Sequence, residues 1–273
     1  MLKRFEAEIR TLEEWRQLRN DWPLLFKDET AVAIAQEVSR SGLFDPIEGF
    51  VDPSQITIGS DNYRETITAL GINSRQRAVV LLFQQLTKNS GTPLQVYASE
   101  AISPLAKRMS SYLDFYTGSE YLPTSDERKL HPDVLHQDIM DMSFENAQFD
   151  IYLSCDVLEH VPDITQAVRE AFRILKPGGI FLGTVPFASE RQESVVRATL
   201  EEGAVVHHME AQYHGNPTKP DEGSLVFQVP GWGFFDQCKE IGFSDAYMQL
   251  MLSSRHGIAS KSVAFIMTFV AIK

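Results

Sequence analysis

Cysteine is almost missing from this 273-residue chain, which has only Cys155 and Cys238. Two thiols build neither a disulfide framework nor a cysteine-based zinc site, and their scarcity suits the reducing cytoplasm. Basic residues are also short, 25 against 37 acidic ones, for a net charge of -12. Binding a duplex calls for a basic face, so no nucleic acid partner is expected. No hydrophobic run reaches membrane length. The most apolar one, Val263–Ile272, is too short to span a bilayer and reads as a buried last strand. The first residues, MLKRFEAEIRTLEEWRQLRN, are charged throughout and lack the apolar stretch of a signal peptide. Internal repeats and low-complexity tracts are missing too. These absences leave a cytoplasmic globular protein with no membrane partner.

What is present is 43% hydrophobic and 23% charged, enough to bury a sizeable core as one large α/β domain or as a small and a medium one. Residues 1–90 read as a helical N-terminal region. Phe5, Ile9, Leu12 and Trp15 recur at helical spacing until Pro23 interrupts them. Ser74 is placed to cap a helix from Arg75 to Thr87, with Ala78, Leu81, Leu82 and Leu86 as its apolar stripe. Between these helices SGLFDPIEGFVDPSQ reads as loops, and KNSGTP at Lys88–Pro93 as a junction. Three roles stay open for this region: capping an acceptor pocket, forming a homodimer, or completing the core.

Beyond the junction, strands and helices alternate. Strands are expected at Leu94–Ala98, Phe115–Ser119, Val134–Gln137, Phe149–Ser154 and Ile180–Val185, with a closing strand at Lys261–Ile272. Helices are expected at Pro104–Leu113, Ile164–Leu175 and Trp232–Ile241. The second places Ile164, Ala167, Val168, Ala171, Phe172 and Leu175 on one face, with Asp163 and Gln166 resembling a capping box and Lys176-Pro177-Gly178-Gly179 stopping it. This alternation argues for a doubly wound, mostly parallel sheet, whose ligand crevice lies beyond the carboxyl ends of the strands.

Glycine is missing where a nucleotide loop would want it. After the first strand, Ser99, Ala101 and Ser103 take the positions of G-x-G-x-G, and the pyrophosphate fingerprint G-x-G-x-x-G is absent, against NAD or FAD. Glu120 follows the second strand close to the spacing at which an acidic side chain accepts from a ribose, unless it is merely solvated. Asp138, after the third strand, either accepts from an adenine amino group, with Ile139 packed on the ring, or closes a turn.

The segments VYASEAISPLA, TGSEYL, HQDIMDMSF, FDIYLSCDVLEHV and RILKPGGIFLGTVPF follow one another in an order that resembles class I S-adenosylmethionine-dependent methyltransferases, and among them the type-11 group. The likeness covers Leu94–Phe187 and is looser beyond; Tyr97 stands where that group usually has an acidic residue. It implies an α/β fold with a Rossmann-like, seven-stranded domain over residues 91–273 and a helical N-terminal extension. It implies a transferase that uses S-adenosyl-L-methionine to methylate an oxygen, or less readily a nitrogen, of a small-molecule or glycan-type acceptor. By the same resemblance Ser99, Glu100 and Ala101 would border the methionine moiety and Glu120, with Tyr121 beside it, would hold the ribose. Asp138 and Ile139 would take the adenine, and Ser154 and Cys155 the region near the sulfonium.

Such chemistry needs a proton acceptor, and histidine titrates near neutrality. His160 lies just past the fourth strand, and HHMEAQYHGNPTKP supplies His207, His208 and His214 with Glu210, Tyr213 and Asn216 in a stretch that reads as a lid. His160, His208 and His214 are the catalytic candidates, and no metal is assigned. Two alternatives stand beside this reading. One is a non-catalytic cofactor-binding or scaffold protein that kept the fold. The other is a metal-assisted RNA-end methyltransferase, with Asp156, Glu159 and His160 on one face of a helical turn and His208 or His214 completing the ligand set. Arg191 and Arg197 either meet an anionic acceptor or sit on a solvated helix.

Overall fold

The computed structural model describes residues 2–273. Contacts divide them into two compact units, Pro93–Ala246 with Val270–Lys273, and the residues up to Thr92 with Tyr247–Phe269.

In the first of these units five strands run parallel: β1 (Val96–Ala98), β2 (Tyr116–Glu120), β3 (Leu135–His136), β4 (Phe149–Cys155) and β5 (Leu175–Thr184). They lie in the order β3-β2-β1-β4-β5. The chain therefore steps outward from β1 in one direction and then restarts on its other side with β4. That reversal opens a crevice between the carboxyl ends of β1 and β4. Phe149, Ile151, Tyr152 and Leu153 are all buried, as a strand covered on both faces requires. The result is a Rossmann-like α/β sheet with parallel core strands.

Four helices accompany the strands: α1 (Pro104–Tyr112), α2 (Ser125–Leu130), α3 (Ile164–Ile174) and α4 (Gly233–Ile241). Helix α3 buries Ile164, Ala167, Val168, Ala171 and Ile174 along one stripe. Asp163 caps it by accepting from Gln166 N at 3.0 Å, but the Gln166 side chain reaches Met140 O instead of closing a box. The Lys-Pro-Gly-Gly segment does more than stop this helix. It lies inside β5, where pairing jumps from Phe149↔Leu175 to Ile151↔Ile180, and Gly178 takes the left-handed φ of +77° that such a bulge asks for.

The other unit has the expected helical N-terminal region, with a correction at its start. Arg4–Ile9 is a strand, antiparallel to Met248–Ser253, and its exposure alternates residue by residue. Phe5, Ala7 and Ile9 follow a period of two there, and helix starts only at Leu12, after Thr11 accepts from Glu14 N. Asp245–Ser253 and Ile266–Ile272 are strands as well, the second within the closing strand expected at Lys261–Ile272. Leu43–Asp45 and Gly49–Val51 form a hairpin where loops were read, closed by Asp45 Oδ1 accepting from Ile47 N and Glu48 N. The expected helix forms as Ser74–Thr87, capped by Asn73 rather than Ser74, and Asp28–Ser41 is a further helix. Arg77 is wholly buried and donates to the carbonyls of Ile67, Ile72, His256 and Gly257. Among the described residues no helix is long and apolar enough to cross a membrane.

Candidate active site

Ser99 directly follows β1 and Ser154 lies near the end of β4, so the crevice at the sheet reversal has a serine on each side. Ser99 N donates to Leu153 O at 3.1 Å, which ties the two strand ends together. Both hydroxyls are buried and make no hydrogen bond, and neither does the phenol of Tyr152. Burial holds that phenol well above its ordinary pKa; the serine hydroxyls are near enough to oppose the shift, yet no pair among the three reaches hydrogen-bond geometry. Unpaired buried hydroxyls are costly, so these strand ends carry polar groups left unsatisfied. Cys155 follows at the rim, half-buried. Asp156 then turns the chain with φ +53°, a conformation aspartate tolerates better than most residues.

The glycine-poor loop has its own support. Glu120, at the end of β2, accepts from Ala101 N at 2.8 Å and Ile102 N at 3.1 Å through one carboxylate oxygen. Ser103 caps α1 by accepting from Ala106 N and donates to the Glu100 carboxylate. Tyr116 donates to Glu100 O at 3.1 Å; its phenol is pushed up by burial first and then by the charges of Glu100, Cys155 and Glu120. A Cβ on Gly118 would lie 2.7 Å from Glu100 O. The loop therefore rests directly on β2, and the glycine that permits close approach sits in the strand beneath it, not in the loop. Tyr116 was not singled out from the sequence.

At the next strand end Asp138 Oδ1 accepts from Met140 N at 2.9 Å, and Ile139 is buried. The turn that carries them is clamped from α3. Glu170 accepts from Met142 N, while Arg173 grips Glu170 and donates to Met142 O and Phe144 O. Tyr121 is exposed, its ring 5.8 Å from that of His136. Burial, Asp138 and Glu127 raise its phenol, and Lys219 opposes them. Lys219 pairs with Glu127 at 2.5 Å and so ties residues 216–223 to α2 beside Tyr121.

A second cluster forms just past β4. Leu158–His160 is a single 3-10 turn in which Glu159 is fully buried. Its Oε1 lies 3.2 Å from His214 Nδ1 and 3.5 Å from His160 Nε2; its Oε2 has no partner. His160 Nδ1 sits 2.8 Å from Leu225 O and donates to it, so in the neutral ring Nε2 would carry the lone pair. His214 arrives on Tyr213–His214, which pairs with Ser224–Leu225, so one short ribbon brings His214 to Glu159 and anchors His160. The stretch read as a lid thus contains the strand Tyr213–His214, and a hairpin of Ala198–Glu201 with Ala204–His207 precedes it. His208 does not join the cluster: it is exposed and bonds Thr199 Oγ1 at 2.9 Å. Asp156 stays outside it too. Arg197 is not on a helix; it lies between two short strands and donates to Glu210 O.

Residues 99–183 match the sequence model of a family described as methyltransferase domain. A Mycolicibacterium smegmatis protein named "Probable S-adenosylmethionine-dependent methyltransferase" is 30% identical over 92 residues, 33% of this chain and 34% of the relative. A Pseudomonas fluorescens ubiquinone biosynthesis O-methyltransferase is 28% identical over 106 residues, 38% of this chain and 40% of the relative. The matched stretches thus span well under half of these relatives' own length. A solved S-adenosylmethionine-dependent methyltransferase from Mesorhizobium loti is 11% identical, with a TM-score of 0.46 over 72% of this chain and 98% of that one.

Proposed function

We propose that this chain, with its methyltransferase domain at residues 99–183, transfers the methyl group of S-adenosylmethionine to an oxygen, less readily a nitrogen, of a small-molecule or glycan-type acceptor. The observation that carries the reading is the chemistry of the crevice rim. It offers carboxylates at Glu100, Glu120 and Asp138 and unpartnered hydroxyls at Ser99 and Ser154. That set suits ribose hydroxyls, an exocyclic amine and a cation, and it repels phosphates. The residues therefore fit a sulfonium nucleoside.

Glu120 keeps one oxygen for a ribose hydroxyl while the other holds the loop. Asp138, Ile139 and Tyr121 would hold the adenine, Ser99–Ala101 the methionine part, and Ser154 and Cys155 the region near the sulfonium. Once bound, the cofactor supplies an already activated methyl group, so the protein's remaining tasks are to align an acceptor and remove one proton. Glu159, His160 and His214 form the polar group that assists removal of this proton. His208, bonded to its own hairpin, is not given that task.

Titration calorimetry of the full chain with S-adenosylmethionine and with its demethylated product tests the reading. Binding of one molecule per chain in the micromolar range is expected. No heat at millimolar ligand would instead favour a scaffold that retained the fold, a reading consistent with Glu120 being half committed to the loop.

A further inference from the structure

Glu159 is 0% exposed, and its carboxylate has only two imidazoles for company, at 3.2 and 3.5 Å. Among the described residues no lysine or arginine pairs with it. Its second oxygen is buried without a partner. A buried carboxylate so poorly compensated is costly unless another positive charge completes the site.

We propose that Glu159, His160 and His214 bind one divalent first-row transition ion of the zinc or manganese type. One donor atom from each lies within 4.8 Å of the others. Neighbouring ligands around such an ion stand about 3.0–3.5 Å apart, so the closest pairs are already in range. The donor chemistry agrees, because two imidazoles with one carboxylate suit this class of ion better than calcium or magnesium. The outer contacts agree as well. His160 gives its Nδ1 proton to Leu225 O, the arrangement that points a bare Nε2 at a metal. His214 Nε2 lies 3.3 Å from the Gln212 amide nitrogen. A half-turn of that amide offers its oxygen to an Nε2 proton and frees Nδ1 for the ion.

Three protein ligands leave coordination positions open. Resting on the methyltransferase reading, we assign those positions to an acceptor hydroxyl. The ion lowers the pKa of that hydroxyl, its proton passes to water, and the imidazoles hold the metal instead of taking the proton themselves.

The test uses the full chain stripped with a chelator and titrated calorimetrically with manganese chloride and with zinc chloride. One ion per chain is expected, with an affinity on the order of micromolar or tighter. His214→Ala and Glu159→Gln are each expected to weaken it at least about tenfold, while His207→Ala, on the exposed hairpin, leaves it unchanged. No saturable binding to the folded chain, or binding indifferent to both ligand variants, overturns the proposal. If Glu159→Gln fails to fold, His214→Ala decides alone, since His214 is only partly buried on a short surface ribbon. A parallel titration of the stripped chain with the demethylated cofactor separates the two readings. Cofactor without ion sinks the metal site only, and ion without cofactor sinks the transferase reading only.

Discussion

Glu120 does two jobs that pull against each other. Its Oε1 holds the amides of Ala101 and Ile102, while the proposed ribose needs a carboxylate oxygen as well. Removing it should therefore release the loop and the ligand together. Glu120→Ala is expected to lower affinity for the demethylated cofactor about tenfold or more, the weight of hydrogen bonds to a charged group. Unchanged affinity in calorimetry would mean that the ligand lies elsewhere. Gly118 gives a separate view of the same loop, because a methyl group there meets Glu100 O at 2.7 Å. Gly118→Ala should push the loop outward and weaken cofactor several-fold with little change in melting temperature. Full retention of affinity would show that the loop's contact with β2 does not set the site. That these serines and carboxylates follow strand ends was legible, because the strands themselves were. The support that Gly118 gives the loop was not, since a lone glycine in a strand says nothing about what will lie on it.

At the scale of elements, the strand-end turn that carries Asp138 and Ile139 depends on helix α3. Burial works against the charge of Glu170, but Arg173 and Met142 N–H prevail and hold its carboxyl below the ordinary 4.5. The folded chain therefore takes up this proton less readily than the unfolded one. The clamp's contribution is complete above the unfolded value and is lost as pH falls through the lower folded value. Between about pH 6 and about pH 3 the melting temperature of the native chain should fall more than that of Glu170→Gln, which has no such proton to gain. Parallel curves would show that the clamp carries no net stability. Helix α3 and the parallel strands were readable because a continuous apolar run or an apolar stripe encodes each of them locally. Arg4–Ile9 was misread because Phe5 and Ile9 fit both a period of two and one of 3.6, and only Ala7 with the intervening charges separates the two. The meeting of Glu159 with His214 was beyond sequence reasoning for a different reason. It spans 55 residues, and which histidine returns is decided by the pairing of Tyr213 with Leu225.

At the scale of the whole molecule, reading a helical region up to residue 90 and a separate catalytic domain from residue 91 suggests cutting the chain there. The contacts argue against the cut. Met248–Ser253 pairs along its full length with Arg4–Ile9, and Phe265 packs edge-on against Trp15 and Phe26. Arg77, with its four carbonyl partners, reaches both Ile67 and Gly257. Deleting residues 1–90 would leave Met248–Ser253 as a bare apolar edge, strip the aromatic neighbours from Phe265, and free two carbonyls that Arg77 had satisfied. An exposed edge of this kind recruits other chains, and unpaired buried carbonyls lower stability further. The fragment from residue 91 onward is therefore expected to aggregate or to melt far below the full chain, which size-exclusion chromatography and a thermal scan would show. A monodisperse fragment with an unchanged melting temperature and intact cofactor binding would instead establish that the strand pairing at Arg4–Ile9 is dispensable, and that residues 91–273 are a domain in the energetic sense.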